Sequence, residues 1–250
     1  MKLRELLAGV PICAGSADLE MEISGVSYDS RTTRPGDLFV AMTGFATDGH
    51  QYIAKALANG AAAVLCQRRP AEACAYVQTE DSRRALAVIG GNWFGHPAEE
   101  MTMIAVTGTC GKTTTTYLLK AILEQTRGAK VGLIGTNQNL SGSDVIPTER
   151  TTPESFEVQK LFREMADAGC THVVMETSSH ALYLDRVYGV RYDVGIFTNL
   201  TQDHLDFHKT MENYCDAKAI LFRNCVTGVV NADDPWTPRL LKDADCKVMT

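Results

Sequence analysis

A lysine and a threonine closing a glycine-rich turn, a glutamate ending an apolar run, and two histidines four positions apart are the residues here whose types and spacing can do chemistry. The turn is Thr107-Gly108-Thr109-Cys110-Gly111-Lys112-Thr113, inside "MIAVTGTCGKTTTTYLLKAIL". Backbone N–H groups of such a turn, at the start of a helix whose dipole favours anions, wrap a phosphate chain; the lysine adds a cation and the threonine hydroxyl can hold Mg2+. Val106 stands where the strict phosphate-loop spacing places its first glycine, so the match is to GxxGKT between a strand and a helix. Cys110 reads either as a small structural residue or as a thiol activated by the helix terminus and Lys112. The spacing places no base for it, which favours the structural reading.

"TNLTQDHLDFHKT" gathers Asp203, His204, Asp206 and His208, and His204 and His208 could share a helix face as zinc ligands do. The bland alternative is a solvated helix start with Asp203 near its cap. A phosphate loop calls instead for Mg2+, which prefers oxygens and few protein ligands. Glu176 in "METSSHAL" is then a candidate ligand, or an ordinary strand-end carboxylate. Lys218 in "NYCDAKAILF" reads as a surface lysine with its stem on apolar neighbours. Arg31 and Arg34 in "SYDSRTTRPGDLFV" could bind a diphosphate, or be solvated beside a turn at Pro35-Gly36.

The elements that must position these groups follow a strand–helix alternation from residue 98 onward: "MIAVTG", "KTTTTYLLKAILEQT", "KVGLIGT", "ESFEVQKLFREMADAG", "THVVME", "YDVGIFTNL", "ENYCDAKAILFRN", "TGVVNADD". Strands apolar throughout, alternating with helices, predict a parallel sheet covered on both faces. Polar residues follow strand after strand at its carboxyl end, where ligands bind in such sheets. Before this lie shorter strands ("ISGVSY", "DLFVAM", "AAVLC", "AYVQT"), a helix "HQYIAKALANG", and another opened by the cap Asp81-Ser82. Leu3, Leu6, Leu7 and Val10 fit one face of a first helix. His96-Pro97 breaks the chain. The expectation is α/β: a small amino-terminal α/β domain over 1–97 and a mostly parallel, doubly wound phosphate-loop domain over 98–250.

Composition narrows the partners. A net charge of −6 and a pI near 5.5 give no basic excess, which speaks against nucleic acid. The eight cysteines form no CxxC pair, as expected of reduced thiols. The amino terminus departs from a signal peptide at Glu5 and Pro11, and no apolar run nears the roughly 20 residues of a membrane span. A cytoplasmic protein without membrane insertion is expected.

Taken together, "VTGTCGKTTTTYLL", "PTERTTPES", "METSSHAL", "FTNLTQDHLDFHKTMENYCDAK" and "VVNADDP" resemble the Mur ligases of peptidoglycan synthesis, and the likeness extends to "YDSRTTRPGDLFVAMTGFATDGHQYIAKALANGAAAV". Within them "PTERTTPES", "SSHALYLDRV" and "DHLDFHKTMENY" resemble the members that add the third stem-peptide residue. The resemblance implies an ATP-dependent ligase acting on UDP-N-acetylmuramoyl-L-alanyl-D-glutamate and a diamino acid, meso-diaminopimelate or L-lysine, through an acyl phosphate. It implies two Mg2+ ions and a monomer. Gly108, Thr109, Cys110, Gly111, Lys112, Thr113, Thr114 and Asn199 would hold ATP. Lys218, carbamylated, would bind metal with Glu176 and His204, and Thr113 would hold the first ion; Lys112, Lys218 and His204 are the catalytic candidates. Tyr28, Ser30, Thr151, Thr152, Ser178 and Arg186 would hold the UDP-linked substrate.

Cys110 stands where asparagine is usual, Leu184 where part of the family has glutamine, and Arg150 where asparagine is common. The family has a third, carboxyl-terminal domain, so the 250 residues are expected not to complete ligation by themselves. The competing readings are the ligase that adds D-alanyl-D-alanine, a small-molecule kinase, and a fragment that binds nucleotide without turnover.

Overall fold

The apolar runs become two separate sheets. The structure, a computed structural model, describes residues 1–44, 47–148 and 150–250, and its contacts divide it into Met1–Trp93 and Phe94–Thr250.

The first unit comprises α1 (Leu3–Leu6), β1 (Ala14–Gly15), β2 (Gly25–Ser27), β3 (Asp37–Val40), α2 (Ile53–Ala58), β4 (Ala63–Cys66), β5 (Tyr76–Gln78) and most of α3 (Ser82–Phe94). Its strands lie in the order β1-β5-β4-β3-β2, parallel except for β1. β3 and β4 are buried on both faces, which is why they read as unbroken apolar runs. The carboxylate of Asp81 accepts the N–H groups of Arg83 and Arg84 and opens α3. The expected first helix is only one turn long, because Gly9 takes a left-handed φ of 79° and Pro11 cannot extend it. Leu3, Leu6, Leu7 and Val10 are nevertheless all buried.

The second unit runs through β6 (Thr102–Thr107), α4 (Lys112–Arg127), β7 (Val131–Ile134), β8 (Asn139–Ser141), β9 (Asp144–Ile146), α5 (Ser155–Asp167), β10 (His172–Glu176), α6 (Ser179–Tyr183), β11 (Tyr192–Phe197), α7 (Leu205–His208), α8 (Met211–Arg223), β12 (Cys225–Val230), α9 (Thr237–Leu240) and β13 (Lys247–Met249). The strand order is β13-β12-β11-β6-β10-β7-β8-β9, parallel from β13 to β7 and closed by an antiparallel hairpin, β8–β9. Alternate residues of β6 face opposite layers. Met103 and Ala105 pack with Phe162 and Met165 of α5, while Ile104 and Val106 pack with Leu119 and Leu123 of α4. The β8–β9 hairpin has no counterpart in the sequence reading: its three-residue strands are too short to show a period.

β6 lies between β10 and β11, with Glu176 opposite Val106 and Phe197 opposite Thr107. The segments leaving these three strands therefore emerge side by side. Among the described residues no helix is long and apolar enough to cross a membrane.

Candidate phosphate-binding site

The turn after β6 has the backbone that a phosphate loop needs. Gly108 and Gly111 adopt φ of 149° and 88°, and a Cβ on Gly108 would collide with the Thr198 hydroxyl. Asn199 brackets the loop from β11: its Oδ1 accepts the Cys110 N–H at 3.1 Å and its Nδ2 donates to the Cys110 carbonyl at 3.1 Å. Thr198 donates to the same carbonyl at 2.7 Å. The residue at 110 is thus held by its backbone, and its side chain is exposed.

Two lysines converge on one carbonyl. Lys112 Nζ donates to Gly108 O and Thr109 O, both at 2.9 Å, and Lys218 Nζ reaches the same Gly108 O at 2.9 Å from α8. Lys218 is 1% exposed, which corrects its reading as a surface lysine. The helix carries it inward because Tyr214, one turn earlier, turns the same face to the core, and Nζ sits 4.5 Å from that ring's centre. Burial, with Lys112 nearby, lowers the Lys218 amine to about 7. Burial also depresses Lys112. Neither lysine pairs with a carboxylate within ion-pair distance among the described residues.

Glu176, 1% exposed at the end of β10, is fixed through both oxygens by Thr136: Oε1 accepts its N–H at 2.9 Å and Oε2 its hydroxyl at 3.0 Å. Thr151 bonds the Thr136 hydroxyl at 3.0 Å. Thr152 donates to the Glu176 carbonyl at 2.9 Å, and its Oγ1 accepts the Ser178 N–H at 3.3 Å. Arg186 donates to Thr152 O at 3.3 Å and pairs with buried Glu154 at 3.4 Å. Thr151, Thr152, Ser178 and Arg186, expected to hold one ligand, thus form one connected set beside Glu176.

The two histidines do not act as a pair. His204 takes a left-handed φ of 53° ahead of α7 and stays half-exposed, with Nε2 3.5 Å from Asp203. His208 turns inward, its Nε2 2.9 Å from the Ser179 hydroxyl and its ring stacked on Tyr214. Burial, reinforced by His180, lowers it to about 4. The shared helix face expected of zinc ligands is absent because the left-handed residue at 204 breaks the helical register. Among the described residues no three His, Cys, Asp or Glu side chains gather as a metal site.

In the first unit, Tyr28 and Ser30 line a separate cavity of about 470 Å³ with Arg31, Tyr52, Lys55 and Arg83. Ser30 is 5% exposed, and its carbonyl accepts Asn59 Nδ2 at 2.7 Å. Arg31 forms a bidentate pair with Asp29 and holds that carboxyl below its usual range.

Sequence reasoning missed Thr136, Glu154, His180 and Tyr214. Only Tyr214 had a legible signal, its place four residues before Lys218; the others are brought in by chain crossovers.

Models of the Mur ligase middle domain and of the Mur ligase family catalytic domain match residues 106–250 and 22–93. The chain is 45% identical over 255 residues to UDP-N-acetylmuramoyl-L-alanyl-D-glutamate–2,6-diaminopimelate ligase of Clostridium tetani, covering all of this chain and 52% of that one. It is 51% identical to the protein of the same name from Clostridium botulinum, covering 89% and 47%. A solved structure of a ligase of that name superposes with a TM-score of 0.81 at 28% identity, over 100% of this chain and 52% of the other. The chain spans about half the length of the curated relatives it matches.

Proposed function

Because the chain belongs to the Mur ligase family, we propose that it carries the ATP-binding and uridine-nucleotide-binding parts of a ligase that joins a diamino acid to UDP-N-acetylmuramoyl-L-alanyl-D-glutamate. The names of its relatives favour 2,6-diaminopimelate over lysine as that residue. Such a reaction belongs in the cytoplasm with its nucleotide substrates, and the chain acts as a monomer.

A carboxylate resists amine attack because it is anionic and lacks a leaving group. Transfer of the ATP γ-phosphoryl group to the D-glutamate side chain supplies one, and an amine then displaces phosphate from the acyl phosphate. This asks the protein for positioning and charge neutralisation more than covalent chemistry. The loop N–H groups and Lys112 hold the phosphates, with Lys112 exchanging the Gly108 and Thr109 carbonyls for phosphate oxygens. Asn199 serves by shaping the loop, since both ends of its amide are engaged with Cys110. Thr151, Thr152, Ser178 and Arg186 hold the peptidyl end and Tyr28 and Ser30 the uridine end.

The donor groups fit Mg2+ on one condition. Thr113 offers a hydroxyl beside the phosphates, and Glu176 has lone pairs left on oxygens fixed by Thr136. His204 keeps a half-exposed ring. The Lys218 amine cannot ligate a cation as an ammonium, but its carbamate is an oxygen anion; an amine lowered to about 7 is free to add CO2 at neutral pH. When bound, the metal neutralises charge on the transferred phosphoryl group.

The observation that carries this reading is the convergence of Lys112 and Lys218 on Gly108 at the edge of a parallel sheet. Calorimetric titration of the chain with a nonhydrolysable ATP analogue and Mg2+ should show one site, removed by Lys112→Ala. No binding by the unaltered chain would sink the nucleotide assignment. In a protein carrying this chain, phosphate release that requires ATP, the UDP-dipeptide and diaminopimelate together would establish the ligase; release without the amino acid would favour a kinase.

A further inference from the structure

Tyr214 touches three parts of the site at once. It is 1% exposed, and its hydroxyl lies 3.2 Å from Thr109 Oγ1 inside the phosphate loop. Its ring carries Lys218 Nζ 4.5 Å from the centroid and stacks on His208 at 5.1 Å and 29°. The direction of the hydroxyl bond follows from counting protons. Thr109 Oγ1 donates its one hydrogen to Thr201 O at 3.2 Å and accepts the Thr201 N–H at 3.0 Å. The phenol is therefore the donor to Thr109.

We propose that Tyr214 is a positioning residue for nucleotide binding, clamping Thr109 of the phosphate loop to α8 while its ring seats the Lys218 amine. Thr109 is the loop's anchor point: its carbonyl takes Lys112 Nζ, its N–H donates to Asn199 O at 2.9 Å, and its side chain ties to residue 201. Freeing the side chain lets the loop relax from the curvature at which its N–H groups converge on a phosphate. Preorganisation of this kind appears as affinity. The ring has its own task, because a cation over an aromatic face is held in place without a competing counter-charge. This inference rests on the nucleotide-binding reading above.

The test is calorimetry on the 250-residue chain with a nonhydrolysable ATP analogue and Mg2+, comparing Tyr214→Phe, Thr109→Val, the double variant and Thr109→Ser. Tyr214→Phe keeps the ring and should weaken binding about three- to tenfold, the range of one hydrogen bond. Thr109→Val should match it and the double variant should be no weaker than either, as expected when both changes remove one interaction. Thr109→Ser should bind as the unaltered chain does, and melting temperatures should stay within about 2 °C of one another. Unchanged affinity in Tyr214→Phe, additive losses in the double variant, or a loss of melting temperature without loss of affinity would each overturn the clamp. If the unaltered chain binds and Lys112→Ala does not, a null result for Tyr214→Phe removes the clamp alone. If the unaltered chain itself fails to bind, the nucleotide assignment falls and takes the clamp with it.

Discussion

The turn at Asp29–Arg31 and the loop at Gly108–Thr113 both place a cation near the carboxyl end of a parallel strand, and they treat it in opposite ways. Arg31 is largely exposed and neutralised by a bidentate carboxylate two residues away. Lys112 and Lys218 are drawn inward and meet main-chain carbonyls instead of carboxylates. A cation already paired has little left to offer an incoming anion. One that is desolvated and only dipole-bonded gains most when an anion arrives, and until then it burdens the fold. The difference separates charge used for structure from charge held for a ligand.

The largest effect should come from Lys112→Ala, which should weaken affinity for the Mg2+–ATP analogue about 10- to 100-fold, as for a lost charge-assisted hydrogen bond of about 1.5–3 kcal/mol. Calorimetry that finds less than threefold would put Lys112 on the same footing as Arg31. Lys218→Met should bring the sign change the comparison demands. Removing a buried amine should raise the melting temperature by about 2–4 °C, the shift of one kcal/mol in a protein of this size. A fall in its place would mean that Lys218 is a structural cation.

Asp48, in the first unit, should behave oppositely. Burial raises its pKa, but the His50 N–H, the Arg68 guanidinium and the His50 ring overcome this and hold it at about 2, against an ordinary 3.8. A carboxyl depressed in the folded state contributes stability above its unfolded pKa and loses it as pH falls through the folded value. The stability of the first unit should therefore decline between pH 3.8 and about 2, and Asp48→Asn should flatten that part of a urea-unfolding profile. An unaltered slope would show that the pair stores no stability. The smallest effect should belong to Cys110→Asn: the side chain is exposed and the backbone is held by Thr198 and Asn199. Analogue affinity should stay within about threefold, the span of an ordinary surface substitution. A loss comparable to that of Lys112→Ala would make the thiol part of the site.

How much was legible depended on the range of each cause. The alternation of apolar strands and helices, the loop between β6 and α4, and Glu176 at a strand end were legible because each is written in contiguous residues whose period or spacing has a direct backbone meaning. The single-turn α1 and the β8–β9 hairpin were not, since elements of a few residues are shorter than the periods that reveal them. Tyr214 and Thr136 were missed as site residues for another reason. Their neighbours, Thr109 and Glu176, are 105 and 40 residues away.

By itself the sequence determined that two α/β sheets form, that a phosphate-shaped turn sits on the second, and that the chain resembles Mur ligases. It could not determine the state of Lys218. An i, i+4 pattern gives a helix face but not what that face meets, and only the crossover that lays α8 against β6 carries the amine to Gly108 and strips it of water. Burial, not residue type, then lowers its proton affinity and turns what reads as a surface lysine into a free amine at the centre of the site.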